Sequence, residues 1–230
     1  MGFIAKGLGF LLIWLYSWIQ SYGLTIVVFT VLFKLCLYPL YKKQIVSTAA
    51  MSEVTPKMQE IQRKYANDKE VMNEKLMELY KEEGFNPMGG CLPMIIQMPI
   101  IMALFMLLRD PLKYANSDSM IFAVHEAFLW INDLAQPDLW ILPIAAGVVT
   151  FISFTQTQAQ QAGTQANAQT GAMMKIMKYF FPITIVLMGR SFPAGLTIYW
   201  FVGTSVQILF NLHLNKLRRQ LREKKANKRK

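Results

Sequence analysis

The sequence predicts an all-α, polytopic membrane protein with five transmembrane helices, an N-terminal interfacial helix and a cytoplasmic helical hairpin. Three observations carry that prediction. The chain has 230 residues, is 53% hydrophobic and 13% aromatic, and its mean hydropathy is positive. Its apolar segments approach spanning length and are separated by polar ones. Its net charge of +10 is concentrated at one end, where Lys216–Lys230 hold nine basic residues against one acid, Glu223. Such a run is a tail rather than a nucleic-acid-binding fold, so DNA is not an expected partner.

Residues 1–22 contain an apolar run with Trp14, Tyr16, Trp18 and Tyr22 distributed through it. Lys6 alone would serve as the positive region of a signal peptide, and no small-residue cleavage site follows. The uninterrupted apolar core is too short to span, so the expectation is a helix lying in the interface on its aromatic rings. Ser21–Tyr22–Gly23 is the expected bend.

The first span, residues 23–41 (GLTIVVFTVLFKLCLYPLY), carries a single lysine, Lys34. At ~1.5 Å per helical residue, Lys34 is roughly 16 Å from Gly23 and about 12 Å from Lys42. A lysine near mid-bilayer costs about 2.5–3.5 kcal/mol on insertion scales, so it ordinarily faces a wet cavity or a partner. Snorkelling of its stem is the competing reading. Thr30 one turn before it and Tyr38 one turn after share its side.

Residues 42–87 read as a cytoplasmic hairpin, because Lys42–Gly84 contain eight basic and eight acidic residues. Met51, Val54, Met58, Ile61 and Tyr65 recur at three and four; Met72, Leu76 and Leu79 continue the seam after a break at Ala66–Asn67–Asp68, and Gly84 is a C-cap candidate. Thr55–Pro56 either starts the first helix or kinks a longer one. Met58, Ile61, Tyr65, Met72 and Leu76 are partner-binding candidates if the hairpin is a docking arm; the alternative is a passive tether.

The second span, 88–109, follows a tight re-entry at NPMGGCLP and holds Gln97 between Pro93 and Pro99. Met94, Met98, Met102 and Met106 recur every four residues, a pattern suited either to accepting varied apolar shapes or to ordinary packing. Residues 110–138 form an extracytoplasmic loop with Lys113 its only lysine, and its FLWINDL segment is expected against the membrane surface. The third span, 139–157, places Thr150, Ser153 and Thr157 on one side. The Gln/Ala/Thr/Gly tract from Gln158 to Ala172 makes 158–174 a flexible cytoplasmic loop.

The fourth span, 175–190, is bracketed by Lys178 and Arg190. Twelve residues at ~1.5 Å give roughly 18 Å against a hydrocarbon core of about 30 Å, which implies local bilayer thinning. Phe192–Pro193–Ala194–Gly195 turns into the fifth span, 192–213. There Thr197, Trp200, Thr204, Gln207 and Asn211 recur at three and four, so they share one face. In lipid that stripe would leave donors unsatisfied; it is expected to face Lys34 or another helix, as a polar surface or as interhelical glue. Residues 214–230 are the basic cytoplasmic tail.

With five spans, Lys42, Lys43, the hairpin, Lys175, Lys178 and the tail fall on one side, which sets the N-terminus outside and the C-terminus in the cytoplasm. Cys36 and Cys91 then lie toward the reducing side and form no disulfide framework or metal-ligand spacing. His125 and His213 receive no chemistry. No nucleotide-binding glycine pattern, carboxylate pair or nucleophile constellation occurs in the spans, so no catalytic, cofactor-binding or metal residues are assigned and the chain is expected not to be an enzyme.

The succession FKLCLYPL, NPMGGCLPMIIQMPI, LWINDL with QPDLWILPI, and FPAGLTIYW resembles the YidC/Oxa/Alb membrane protein insertases over essentially the whole chain. The second of these pieces is highly specific. The resemblance implies a five-span core with a hydrophilic groove open to cytoplasm and lipid, in which Lys34 occupies a position usually held by arginine, while Gln97 and Trp200 match groove-lining positions. Lysine is a point charge that can lose its proton, whereas arginine keeps its charge and offers a planar fork. With Thr30, Ser153, Thr204 and Gln207 these complete the candidate substrate groove. The implied partners are nascent membrane proteins, the ribosome through a tail containing Lys216, Arg218, Arg219 and Arg222, membrane lipids, the Sec translocon and the signal-recognition machinery. The implied location is the bacterial plasma membrane. A small-solute or ion transporter and a structural assembly factor for membrane complexes are the competing functions; the first should show inverted repeats, which are not found.

Overall fold

The computed structural model describes residues 2–83, 92–109, 118–160 and 168–228. Within them the chain is helical: α1 (Gly2–Ile19), α2 (Tyr22–Cys36), α3 (Tyr38–Lys64), α4 (Lys69–Glu82), α5 (Leu92–Arg109), α6 (Asp118–Ala123), α7 (Ile141–Gln160), α8 (Ala168–Gly189) and α9 (Ala194–Lys228). Among the described residues there is no strand, only an isolated bridge between Phe128 and Ile131. Two helices are long and apolar enough to cross a membrane by length and composition, over Ile141–Gln158 and Ala194–Leu217; Ala5–Ile19, Tyr22–Cys36, Met98–Leu107 and Ile176–Gly189 are shorter apolar stretches.

The helix boundaries depart from the sequence expectation at three places. The expected continuous span 23–41 is divided: α2 stops at Cys36, Leu37 is its C-cap, and α3 starts at Tyr38. Pro39 is the cause, since it has no N–H to give the carbonyl of Leu35 and its ring crowds that carbonyl. The expected flexible loop 158–174 is mostly helix, because α7 runs to Gln160 and α8 begins at Ala168; alanine and glutamine are good helix formers. Residues 161–167 of that loop lie outside the described residues. The tail expected after residue 213 is a continuation of α9 to Lys228, as its Leu, Arg, Lys, Gln and Glu content favours.

The chain divides into two compact units. The first comprises Met1–Leu37, Met94–Ser153 and Tyr179–Ile208. Its core gathers Leu12 and Leu15 of α1, Ile26 and Phe29 of α2, Leu104 and Leu107 of α5, and Leu196 and Tyr199 of α9. Glycine lets α7 and α8 approach closely: a β-carbon on Gly147 would strike Val186, and one on Gly189 would lie 3.2 Å from Pro143 Cβ. With Phe151 against Tyr179 at 5.8 Å, the partners run backward along α8 as they run forward along α7, so the pair is antiparallel.

The second unit comprises Tyr38–Pro93, Phe154–Lys178 and Leu209–Lys230. In it α3 and α4 form the hairpin, turning at Tyr65–Asp68, where the Asp68 carboxylate accepts from the Val71 N–H at 3.2 Å as N-cap of α4. α3 runs through Pro56 rather than starting there, so the N-cap reading of Thr55 does not hold. Val54 and Leu79 are buried between the helices with Met58, Ile61 and Tyr80 packed on them, and Lys57 pairs with Glu83 at 2.5 Å. Tyr38 and Tyr41 at the start of α3 meet Phe210 of α9 at 5.1 and 6.0 Å. Gly84, the C-cap candidate, lies outside the described residues; Glu83 is the C-cap residue of α4.

Candidate functional site

Lys34 and Thr30 of α2 are buried, at 6% and 0% exposure. What covers them is α9, at a residue that the sequence reading does not single out. A β-carbon on Gly203 would sit 3.1 Å from Lys34 Cε, 3.8 Å from Nζ and 3.4 Å from Thr30 Cγ2. The absence of a side chain at Gly203 therefore makes the space in which the lysine stem lies. Its signal in the sequence is a glycine within an otherwise bulky apolar helix, one turn from Trp200 and Gln207.

Because α2 ends at Cys36, Lys34 lies in the last turn of its helix and not in the middle of one. The final carbonyls of a helix lack intrahelical partners and the macrodipole is negative there, so the position favours a cation by about 0.3–1 kcal/mol at exposed sites and up to ~2 kcal/mol in partly buried ones.

The polar stripe of α9 is turned inward. Thr197 and Asn211 are buried and Trp200, Thr204 and Gln207 half-buried, whereas Leu209 and Leu212 are among its exposed residues. Trp200 reaches two neighbours: its indole N–H donates to Thr150 Oγ1 of α7 at 3.0 Å, and its ring lies 6.1 Å from that of Phe181 of α8. At Trp200 and Thr150 the stripe is interhelical glue, one of the two roles open to it. Ser153, one turn beyond Thr150, is half-buried.

The hydroxyl groups are less available than their number suggests. Thr30 donates to the Ile26 carbonyl at 2.6 Å, Thr150 to that of Ala146 at 2.6 Å and Ser205 to that of Phe201 at 2.8 Å. With their protons committed to the preceding turn, they offer lone pairs only. The site thus combines, among the described residues, a charged donor, the Lys34 ammonium, with hydroxyl acceptors in an apolar surround. Among the described residues no group of His, Cys, Asp or Glu could hold a metal ion.

Other sequence-assigned residues fall as follows. The side chain of Gln97 lies outside the described residues, as do those of Arg218, Arg219 and Arg222; Lys216 is exposed. Leu76 is buried, Tyr65 and Met72 are half-buried, and Met58 and Ile61 are engaged by the hairpin's own seam. Met98 and Met102 are exposed at 51% and 47%, which ordinary core packing does not explain. His125, to which no chemistry is assigned, meets Asp133 through Nδ1 at 3.0 Å.

At the other end of α2, Glu126 receives the Tyr16 hydroxyl on Oε1 and the Tyr22 backbone N–H on Oε2 at 2.7 Å. The hydrogen bond to Glu126, together with burial and the carboxylate charge, pushes the Tyr16 phenol up to about 12. The carboxylate completes the start of α2, whose N-cap Ser21 makes no side-chain bond. Its part in the fold was not visible from spacing, since it lies about a hundred residues from its partners.

Comparison with known proteins shows the family. The family model described as 60Kd inner membrane protein matches residues 14–223. A membrane protein insertase YidC of Fusobacterium nucleatum is 38% identical over 203 residues, covering 88% of this chain and 90% of its own length. That of Oceanobacillus iheyensis is 38% identical over 86% of this chain and 75% of its own, and that of Campylobacter jejuni is 36% identical over 98% of this chain but 40% of its own, longer, sequence. With a match of that extent and relatives aligned along most of both chains, the protein belongs to the 60Kd inner membrane protein family of YidC-type insertases.

Proposed function

We propose that the chain inserts nascent membrane proteins by moving short hydrophilic flanks across the bilayer through a polar groove built around Lys34, releasing the hydrophobic segment sideways into lipid. The observation that carries this reading is the buried ammonium of Lys34, seated against Gly203 between helices instead of among exposed side chains. In this reading α2, α5, α7, α8 and α9 are the five spans, α1 lies in the interface, the N-terminus is outside and the C-terminus is in the cytoplasm of a bacterium.

A flank entering from the cytoplasm exchanges water for the Lys34 ammonium and the lone pairs of the hydroxyls. An acidic flank gains most, because its carboxylate meets the charged donor, while backbone N–H groups meet the acceptors. α2 has 15 residues, roughly 22 Å at ~1.5 Å per residue against a core of about 30 Å, so thinning of the bilayer at this helix shortens the path. The apolar segment then leaves for lipid, which favours its burial. The exposed Met98 and Met102 supply an adaptable surface along that exit. No bond is made or broken, so the protein is not an enzyme. The helical hairpin and the basic end of α9 serve as contacts for ribosome, anionic lipid, the Sec translocon or signal-recognition machinery.

The test is insertion by purified protein in liposomes of substrates differing only in the charge of a short translocated flank. Lys34→Arg should retain insertion and Lys34→Ala should lose it selectively for acidic flanks. Equal insertion of every substrate by Lys34→Ala would sink the proposal.

A further inference from the structure

The helices that carry Lys34, Thr150 and Gly203 each begin at one short segment, Glu126–Asp138. For α2, Glu126 accepts the Tyr22 N–H at 2.7 Å, and Gly23 packs so close beneath Phe128 that a β-carbon there would overlap the ring. For α7, Asp138 accepts from the N–H groups of Leu142 at 2.8 Å and Trp140 at 3.2 Å. For α9, the carbonyls of Gln136 and Leu134 accept the N–H groups of Ala194 at 2.9 Å and Gly195 at 3.0 Å. First-turn N–H groups have no partner within their own helix, so each helix depends on outside acceptors, and here one segment supplies at least one to each of the three.

The segment is itself tied down. Phe128 and Ile131 exchange backbone bonds at 2.8 and 3.0 Å around Leu129, whose φ is 54°, and the Leu134 N–H returns to the Glu126 carbonyl at 3.2 Å. Asp133 accepts from the Ala135 N–H at 2.8 Å, and the Trp130 indole donates to Asp138 at 2.9 Å. A helix transmits the position of its first turn along its length, so the starts of α2, α7 and α9 fix where Lys34 meets Gly203 and where Thr150 meets Trp200.

We infer that Glu126–Asp138 is the positioning element of the site, with Glu126 and Asp138 as positioning residues that act on Lys34, Thr150 and Gly203 through their helices. The consequence for insertion rests on the function proposed above; the consequence for the helix starts does not. In the full chain in nanodiscs, Glu126→Ala should speed amide exchange in the first turn of α2 about tenfold while leaving that of α7 unchanged, and Asp138→Ala should do the reverse. Glu126→Gln, whose amide oxygen still accepts the Tyr22 N–H, should restore most of the protection. Glu126→Ala should also reproduce the flank-selective insertion defect of Lys34→Ala, measured in parallel. Unchanged exchange at α2 in Glu126→Ala, or a defect equal for all flanks, would overturn the inference. If Glu126→Ala does not fold, Glu126→Leu, which keeps the side-chain bulk but offers no acceptor, decides it: faster exchange at α2 than in Glu126→Gln supports the inference, and exchange equal to that of wild type refutes it. Should Lys34→Ala insert every substrate normally, the proposed function fails and exchange alone decides the role of the segment.

Discussion

The stem of Lys34 lies in a space left by Gly203: its terminal methylene is 3.1 Å from the point a β-carbon on that glycine would occupy. The atom met first belongs to the far end of a flexible side chain, so Gly203→Ala should be accommodated by a shift of a few tenths of an ångström, with insertion near wild type. Gly203→Leu fills the space and should drive the ammonium away from α9. Insertion of acid-flanked substrates should then fall about tenfold, equivalent to ~1.4 kcal/mol, while neutral flanks are spared. Matched loss for both flank types would show that Gly203 serves packing alone.

Trp200 joins α9 to α7 by one hydrogen bond and to α8 by ring contact. Trp200→Phe keeps an aromatic ring near Phe181 but removes the N–H to Thr150. Interhelical bonds of this kind contribute on average about 0.6 kcal/mol and at most ~1.7 kcal/mol. A double-mutant cycle of Trp200→Phe with Thr150→Val, read by unfolding in detergent, should give a coupling in that range; no coupling would mean that the bond carries no stability.

Much of the fold is legible in the sequence because hydropathy and helical spacing are local properties. The hairpin seam through Val54, Met58 and Ile61 and the inward stripe of Trp200, Thr204 and Gln207 follow from three-and-four spacing alone. What was missed depends on partners distant in the chain. Gly203 matters only because Lys34 lies beside it, and Glu126 only because the end of α1 and the start of α2 converge on it. The division of 23–41 was within reach, since Pro39 announces it, but an apolar run that continues through the proline masks the signal.

Asp138 should give the structure a defined sensitivity to acid. Burial alone would raise its carboxyl, but the Trp130 indole and the backbone N–H groups of Leu142, Trp140 and Ile141 outweigh that and hold it below the usual 3.8. The folded state therefore favours the ionised form. Its contribution is complete above the ordinary aspartate range and is lost as pH falls through the lowered value. Comparing unfolding of wild type and Asp138→Asn from pH 7 to pH 3, the wild type should be more stable at neutral pH and the gap should close toward pH 3. A gap independent of pH would remove ionisation from the account.

Pro39 determines where Lys34 stands in its helix. With proline at that position the carbonyl of Leu35 cannot receive a bond from residue 39, α2 ends at Cys36, and the lysine occupies a final turn whose negative dipole end favours its charge. Pro39→Ala restores the missing N–H and removes the clash, so α2 and α3 should join into one helix. Amide exchange at residues 37–40 should slow, while overall stability changes little or rises. Lys34 would then lie inside an uninterrupted helix, without the orphan carbonyls beside it, and acid-flanked insertion should fall even though Lys34 itself is unaltered. Unslowed exchange would show that the break belongs to the surrounding packing instead of to the proline. Slowed exchange with normal insertion would show that the dipole at the end of α2 does not matter to the cation's task.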